Sequence, residues 1–450
     1  MKKAKKIYDL RIANCELEIT NLKSKILNLK SKIVNPKYGI AFDIGTTTIV
    51  GSLVDLATCE EKETAMLENP QMRWGRDLLS RISAAVDSIE TLKELHLETI
   101  NACNNIIKRL TNPENIQFVT AAGNATMEHL FLGISPAPLA KVPYRPAFKE
   151  SRKIKADAVG IIINPEAYIY TFPLIGGFIG GDTVAVILST ALHKTKKYCL
   201  AIDIGTNNET ALGSENSIFA TSTAAGPAFE GGTIRHGMIA KNGAIHGVKI
   251  ECDKIEIDVI GDESPKGICG SGIIDCVAKL LNAGIIDVSG RVKNRDEVEG
   301  NLANRIIEEG SGNAFLLYKD AKREITITQN DVREIQLAKG AIQAGIKLLL
   351  KKAKVNFDEI DRVFIAGAFG SNINKQSLAD IGVIEKEWLD RVVFVGDAAL
   401  DGARLALCSE EKRKEAEDIA KNAKYLPLSG SQHFQKEFIK GMGFPECSRQ

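Results

Sequence analysis

The sequence predicts a globular α/β protein of two to three domains in which one strand–turn–strand unit occurs twice. Its 450 residues are 44% hydrophobic and 26% charged, which is an ordinary globular composition, and domains average roughly 150 residues. The pattern Asp-Ile-Gly-Thr follows an apolar run twice, beginning at Asp43 and at Asp203. A second strand-like run follows each copy, and this predicts a β-hairpin closed by a tight glycine-containing turn.

Charge and hydropathy narrow the possible partners. The net charge is +1, so neither a nucleic acid nor a membrane surface is expected as a partner. The basic stretch over residues 1–6 lacks the apolar core of a signal peptide. No apolar run approaches the roughly 18 residues of a membrane-spanning helix. We therefore expect a cytoplasmic protein.

Cysteine usage bears on redox chemistry. The nine cysteines are scattered, and no two form a C-x-x-C pair, which is typical of reduced thiols in the cytoplasm. Ligand cysteines of an iron–sulfur cluster usually come in tight local groups. No iron–sulfur cluster is therefore expected from this chain alone, while ligation shared between subunits stays open.

The first 36 residues carry a heptad pattern. Apolar or near-apolar residues recur between residues 8 and 33 in alternating steps of four and three, and Asn35-Pro36 ends the pattern. We predict an N-terminal heptad helix over residues 1–36 that forms a coiled coil, as a homodimer or with a docked partner. The alternative is a single amphipathic helix that lies on its own globular body.

The residue types at the two turns suit a polyphosphate. Gly45 and Gly205 allow backbone N–H groups to approach an anion closely. Further donors follow each glycine: Thr46, Thr47, Thr48, Thr206, Asn207 and Asn208. A carboxylate at a strand end can hold Mg²⁺ directly or through water, or orient a water molecule. We therefore predict Asp43 and Asp203 as catalytic and magnesium-organising residues, the alternative being that each caps its own turn.

Further segments carry candidate binding residues. A buried strand ends in four residues that suit close approach to a flat ring or a ribose: Gly367, Ala368, Phe369 and Gly370. Glu230 is predicted to line the nucleotide cleft, or else to lie at a helix N-terminus. Asp182 is predicted to join a phosphate-side water network, or else to cap the helix that follows. The strand and small-residue helix over residues 392–403 are interpreted as a hinge.

The order of hairpin, hairpin and Ala-Gly-Ala-Phe-Gly resembles the phosphate and adenosine motifs of the acetate and sugar kinase, heat-shock chaperone and actin superfamily. The resemblance implies an actin-like ATPase of two lobes, each built on a ribonuclease-H-like mixed sheet, with ATP in the cleft between them. The first lobe is expected over residues 37–198 and the second over residues 199–450. The interlobe helices are expected near residues 172–183 and at residues 396–403.

Over residues 38–445 the chain is similar to the ATPase part of the reductive activators of corrinoid proteins. The matching segments are residues 69–71, 75–77, 80–82, 123–129, 224–232, 267–275 and 328–339. This resemblance implies an ATP hydrolase that uses ATP and Mg²⁺ to help return cob(II)amide to cob(I)amide in a low-potential corrinoid protein. Family members usually carry an iron–sulfur domain, whereas this sequence has no C-x₄-C-x₂-C run. A separate ferredoxin-like electron donor is therefore expected.

Two other functions stay open, and one residue of the second turn departs from the family pattern. The first alternative is a small-molecule kinase of the same superfamily, which needs an acid/base carboxylate opposite the γ-phosphate. The second is a nucleotide-gated scaffold or chaperone-like binding module with the coiled coil as its interaction arm. Asn208 stands where the family pattern usually has Gly. Because Asn tolerates left-handed backbone angles, we expect the turn to form.

Overall fold

Two six-stranded mixed sheets organise the chain. The computed structural model describes residues 37–251, 253–310, 312–367 and 373–446. The predicted heptad helix over residues 1–36 lies outside the described residues, so its coiled coil stays a prediction. No helix in the described ranges is both long enough and apolar enough to cross a membrane.

The first sheet is built from the first half of the chain. Its strands are β1 (Tyr38–Ile44), β2 (Thr48–Asp55), β3 (Glu61–Glu68), β4 (Ile116–Gly123), β5 (Arg152–Lys155) and β6 (Tyr168–Thr171). Helices α1 (Leu78–Asp87), α2 (Ile89–Leu110) and α3 (Ala125–Phe131) follow β3 and β4, and α4 (Gly181–Thr190) follows β6. Helices α2 and α3 share one buried apolar cluster with β1, β2 and β4, and this cluster is the core of the first lobe.

The second half supplies the remaining elements. The strands are β7 (Cys199–Ile204), β8 (Asn207–Ser214), β9 (Ser217–Ala224), β10 (Ala244–Glu251), β11 (Lys254–Val259), β12 (Gly267–Ile268), β13 (Ile306–Glu309), β14 (Gly312–Lys319), β15 (Glu324–Thr328), β16 (Arg362–Ala366), β17 (Val392–Gly396) and β18 (Ala423–Tyr425). The helices are α5 (Gly270–Asn282), α6 (Gln329–Ala353), α7 (Lys375–Asp380), α8 (Ala398–Cys408), α9 (Glu410–Asn422) and α10 (Gln432–Met442). Two small sheets, β11-β10-β12 and β13-β14-β15, lie between the large-sheet strands β9 and β16 in the chain.

The two large sheets repeat one topology. The first has the order β3-β2-β1-β4-β6-β5, and the second has the order β17-β16-β7-β8-β9-β18. In each, the first strand pairs antiparallel with its hairpin partner and parallel with the strand on its other side. The duplication that the two turns predict thus extends over five strands of each sheet. This confirms the predicted fold of two lobes on duplicated sheets.

Helices α4 and α8 lie between the two sheets, where the sequence predicts the interlobe helices. They share a buried apolar cluster with β1 and β4 of one sheet and β7 and β8 of the other. Thr120 on β4 donates to the carbonyl of Ala403 at 2.8 Å, and Ser189 on α4 donates to that of Ala398 at 2.8 Å. The helix that follows β17 in the second half therefore packs against the first sheet, and the two lobes share one interface.

The crossing of α4 and α8 is close enough to require glycine. A Cβ atom on Gly402 would lie 2.1 Å from the carbonyl oxygen of Ala185. We predict that Gly402→Ala destabilises the protein by about 1–3 kcal/mol, because overpacking a tight contact forces the backbones apart. The expected result is a lower midpoint of urea unfolding, although Gly→Ala inside a helix usually stabilises it.

Gly310→Ala is the matched control, since no atom lies within 4 Å of its added Cβ. If Gly402→Ala unfolds at the same urea concentration as the unmodified protein, the close crossing of α4 and α8 is wrong.

Candidate functional site

The two glycine-containing turns meet between the lobes. The hydroxyl oxygens of Thr47 and Thr206 lie 3.1 Å apart. Each hydroxyl is also 3.0 Å from Oε2 of Glu230, which accepts a hydrogen bond from either threonine. Glu230 ends a short helical turn over Pro227–Glu230 rather than beginning a long helix. Turns from two different sheets and one carboxylate thus converge on a single point of the cleft.

A cluster of carboxyl groups surrounds this point. Asp43 and Asp203 occupy equivalent positions, one residue before the ends of β1 and β7. Asp182 lies in the first turn of α4, and Asp397 is the N-cap of α8, accepting a hydrogen bond from the amide of Leu400 at 2.9 Å. Glu209 on β8 is directly opposite Asp203 in the hairpin.

Burial and mutual repulsion disfavour the charged forms of these carboxyl groups. Burial, together with the charges of Asp182 and Asp397, raises the pKa of Asp203 to about 7. Burial likewise raises the pKa of Asp182 to about 6 and that of Asp397 to about 6. For Asp43, burial first and then the charge of Asp397 hold the pKa well above its usual range. A bound cation would relieve this repulsion.

The donor set fits Mg²⁺ held largely through water. In the described part of the chain, no three His, Cys, Asp or Glu side chains stand together as ligands of a bare metal ion. Mg²⁺ retains several waters and uses one or two protein carboxylates together with substrate phosphates. Asp43 and Asp203, at the two strand ends beside the turns, suit that mode of binding. Their assignment as magnesium-organising residues stays a prediction.

Two asparagines support the first turn. Asn69 donates from Nδ2 to the carbonyl of Gly45 at 2.9 Å, and the Asn69 amide donates to the carbonyl of Thr47 at 2.8 Å. Asn124, the N-cap of α3, donates from Nδ2 to the hydroxyl of Thr46 at 3.1 Å. Both asparagines fall in segments that resemble the family, but sequence reasoning did not assign them to the site.

The two hairpins differ by one residue, and this changes which side chains face the cleft. Ile44 pairs with Ile49 across a four-residue turn, whereas Ile204 pairs with Asn208 across a three-residue turn. Because alternate residues of a strand face opposite sides, the shorter turn places Glu209 on the same face as Asp203. A residue-by-residue alignment of the two turns therefore misses Glu209.

The second hairpin forms as expected, but a left-handed backbone at Asn208 is not the reason. Asn208 lies within β8 in an extended pairing with Ile204, and its backbone is not in the left-handed region. Its side chain is 0% exposed and faces the side opposite Glu209, toward the core of the second lobe. Both polar atoms of its side chain, Oδ1 and Nδ2, lack a hydrogen-bond partner in the described structure. A side-chain contact from Asn208 to a nucleotide in the cleft would need a rearrangement.

The third predicted motif is only partly described. Gly367 has φ of +118°, and a Cβ there would lie 2.4 Å from the carbonyl oxygen of Ile204. Gly123 is its equivalent in the first lobe, with a Cβ that would lie 2.9 Å from the carbonyl oxygen of Ile44. Ala368, Phe369 and Gly370 lie outside the described residues, so the adenosine-binding role of the motif stays a prediction.

Several of the residues predicted to bind ATP lie on or beside the two turns. Half-buried positions on or beside the two turns are taken by Gly45, Thr47, Thr48, Gly205 and Asn207. Asp182 is not an N-cap, since Gly180 takes that place. The segment interpreted as a hinge also carries Asp397, which sequence reasoning did not assign to the site. The order of the elements could have indicated Asp397, because α8 follows β17 as α4 follows β6.

The raised pKa of Asp203 predicts a pH-dependent stability in EDTA. The group ionises near its usual pKa of 3.8 when unfolded and at about 7 when folded. Its contribution to stability is therefore present at low pH and is lost as the pH rises through 7. We expect Asp203→Asn to raise Tm relative to the unmodified protein increasingly between pH 5 and pH 8.

Asp418→Asn, on an exposed position of α9, serves as the control and should show a constant difference in Tm over this range. A constant difference for Asp203→Asn as well would show that Asp203 keeps an ordinary pKa.

Two family models together match nearly the whole described chain. One, described as the RACo middle region, matches residues 38–195. The other, described as the C-terminal domain of RACo, the ASKHA domain, matches residues 197–450. The change from one model to the other falls next to β7, the first strand of the second large sheet.

Individual relatives and a solved structure agree with these models. "Corrinoid activation enzyme RamQ" of Eubacterium limosum is 35% identical over 421 residues, which are 91% of this chain and 70% of the relative. The "[Co(II) methylated amine-specific corrinoid protein] reductase" of Methanosarcina barkeri is 27% identical, over 89% of this chain and 76% of the relative. The solved "Reductive activator for corrinoid,iron-sulfur protein" superimposes with a TM-score of 0.85 at 35% identity, covering 92% of this chain and 67% of that one. The chain therefore belongs to the family of reductive activators of corrinoid proteins.

Proposed function

We propose that this chain binds ATP with Mg²⁺ between its two lobes and couples its hydrolysis to the reductive activation of a corrinoid protein. The contact of Thr47, Thr206 and Glu230 across the lobes carries this proposal, because it joins two phosphate-type turns beside a carboxyl cluster. The names of the relatives supply the corrinoid protein as the target.

The residues of the cleft divide the work between them. Backbone N–H groups and hydroxyls of the two turns are suited to donate to phosphate oxygens. Asp43 and Asp203 are suited to hold the waters around Mg²⁺, and one of them to orient the water that attacks the terminal phosphate. Gly367 follows the end of β16 and begins the segment proposed to contact the rest of the nucleotide.

The interlobe helices offer a route from the cleft to the protein surface. Asp182 and Asp397 lie at the N-terminal ends of α4 and α8, and these helices cross at Gly402. A ligand that draws the two turns together also acts on both helix ends. ATP can shift the shape of the lobes only by its differential affinity for the two shapes, and a corrinoid protein docked on one shape would respond to that shift.

The electron is proposed to come from another protein. Reduction of cob(II)amide to cob(I)amide takes one electron, and ATP hydrolysis supplies free energy but no electron. The scattered cysteines of the sequence favour a separate ferredoxin-like donor. A homodimer in the cytoplasm completes the proposal.

The test measures phosphate release and the visible spectrum of cobalt in one reaction. It contains this protein, a corrinoid protein in the cob(II)amide state and a low-potential one-electron reductant, with and without Mg²⁺ and ATP. We expect cob(I)amide to form only with ATP, and hydrolysis to rise when the corrinoid protein is added. Phosphorylation of a small metabolite instead would identify a kinase and overturn the proposal.

The carboxylates at the strand ends should be needed for hydrolysis. We predict that Asp43→Asn or Asp203→Asn lowers the rate of hydrolysis by about 100-fold, a typical loss when one preorganised group of an active site is removed. Asp418→Asn serves as the control and should leave the rate unchanged. Full hydrolysis by both strand-end variants would contradict their assignment.

A further inference from the structure

Arg81 is a buried cation directly behind the first turn. It lies on α1, and its side chain is 0% exposed. Nη2 donates to the carbonyl of Thr46 at 2.6 Å, and Nε donates to the carbonyl of Gly75 at 3.0 Å. Nη1 donates to Oε1 of Gln71 at 3.3 Å and lies 3.5 Å from Sδ of Met127. All four acceptors are uncharged.

The guanidinium has no anionic partner at contact distance within the described ranges. Asp77 attracts it through space, but the Asp77 oxygens accept hydrogen bonds from the amide and hydroxyl of Ser80 at 2.9 Å and 2.7 Å. Burial lowers the pKa of Arg81 to about 10, so the group remains charged at neutral pH. An unpaired buried charge is unfavourable to stability, which points to a role for Arg81 in the site beside it.

The position of Arg81 is fixed by a further layer of hydrogen bonds. Gln71 is fully buried, and its Nε2 donates to the carbonyl of Leu95 at 2.8 Å and to the hydroxyl of Thr99 at 2.6 Å. This leaves Oε1 of Gln71 directed at the guanidinium. Hydrogen bonds to helix α2 thus fix the side chain of Gln71, which positions the guanidinium of Arg81 against the first turn.

The contact to Thr46 fixes the direction of the turn's N–H groups. In a planar trans peptide the C=O and N–H bonds point in opposite directions. Because Arg81 binds the carbonyl of Thr46, the N–H of Thr47 points away from the guanidinium. Asn69 binds the carbonyl of Gly45, which likewise directs the N–H of Thr46. Successive N–H groups directed to one side form an anion-binding concavity.

The second turn lacks this arrangement. There the carbonyl of Thr206, the counterpart of Thr46, accepts a hydrogen bond from the neutral backbone amide of Gly226 at 3.1 Å. The two turns follow equivalent strands, and each donates one threonine hydroxyl to Glu230. Among the described residues, a guanidinium therefore binds the carbonyl of the first turn, whereas a neutral backbone amide binds the equivalent carbonyl of the second.

We propose that Arg81 is a positioning residue that makes the first turn selective for the most highly charged end of the nucleotide, so that the protein prefers ATP over ADP. The inference rests on the proposed function, since it assumes that a nucleotide occupies the cleft. Arg81 acts through the peptide groups of Thr46 and Thr47 and through its field, without touching the phosphate.

The test compares the affinities of the protein for Mg-ATP and Mg-ADP by titration calorimetry. We expect Arg81→Met to lower the affinity for ATP by about 10- to 100-fold, the usual effect of a charged hydrogen-bonding group, and to lower the affinity for ADP less. Its ATP affinity should also depend less on salt concentration. Arg81→Lys keeps the charge without the planar fork and should recover part of the preference.

Arg109→Met, at an exposed position of α2, is the matched control and should change neither affinity. Circular dichroism and Tm establish that each variant is folded, and if Arg81→Met does not fold, Arg81→Lys carries the test with a partial loss of preference. An unchanged ratio of ATP to ADP affinity in the folded variants, or an equal loss for both nucleotides, would overturn the inference. Failure of the unmodified protein to bind either nucleotide would instead overturn the proposed function.

Discussion

Like-charged carboxyl groups are brought together where the ends of two strands meet across one cleft. Asp43 and Asp203 come from the same position of two equivalent strands, and Asp182 and Asp397 come from the helices that follow each sheet. Their pKa values are raised because burial and mutual repulsion both oppose ionisation. An arrangement of this kind is unfavourable in isolation and becomes favourable when a cation is present, which links the fold directly to the proposed chemistry.

The duplicated sheets explain why the cluster has this form. Each lobe contributes a strand end, a hairpin turn and a helix N-terminus, and the close crossing of α4 and α8 brings the two sets face to face. Gly402 allows that crossing, and Gly123 and Gly367 allow the neighbouring strands to pass close to the ends of β1 and β7. The packing that joins the lobes and the geometry that builds the site are therefore the same contacts.

The two halves are equivalent in topology but not in chemistry. One residue fewer in the second turn brings Glu209 to the cleft face of β8, where the first lobe has the apolar Val50 opposite Asp43. The first turn in contrast has a buried guanidinium behind it, where the second has a backbone amide. The second lobe thus adds a buried carboxyl group to the cleft face, and the first lobe adds a guanidinium behind its turn.

The amino-acid sequence by itself determined the features that depend on local pattern. The repeated Asp-Ile-Gly-Thr turns predicted two hairpins and a duplicated fold, and the structure confirmed both, because a hairpin is specified by an apolar alternation and a turn within a few residues. The capping box of Thr328 and Asp331 at the start of α6 likewise depends only on contacts close in the chain. Residue type and spacing were sufficient for these features because every contact that decides them lies close in the chain.

Only the tertiary structure decided which side chains share the cleft. Asp397 and Glu209 became part of the carboxyl cluster through helix placement and strand register, and Asn208 was turned away from it by the same register. The contact of Thr47 with Glu230 spans 183 residues, and that of Arg81 with Thr46 spans 35. Contacts over such separations depend on how sheets and helices pack, and a one-residue change in a turn reverses which face a side chain takes.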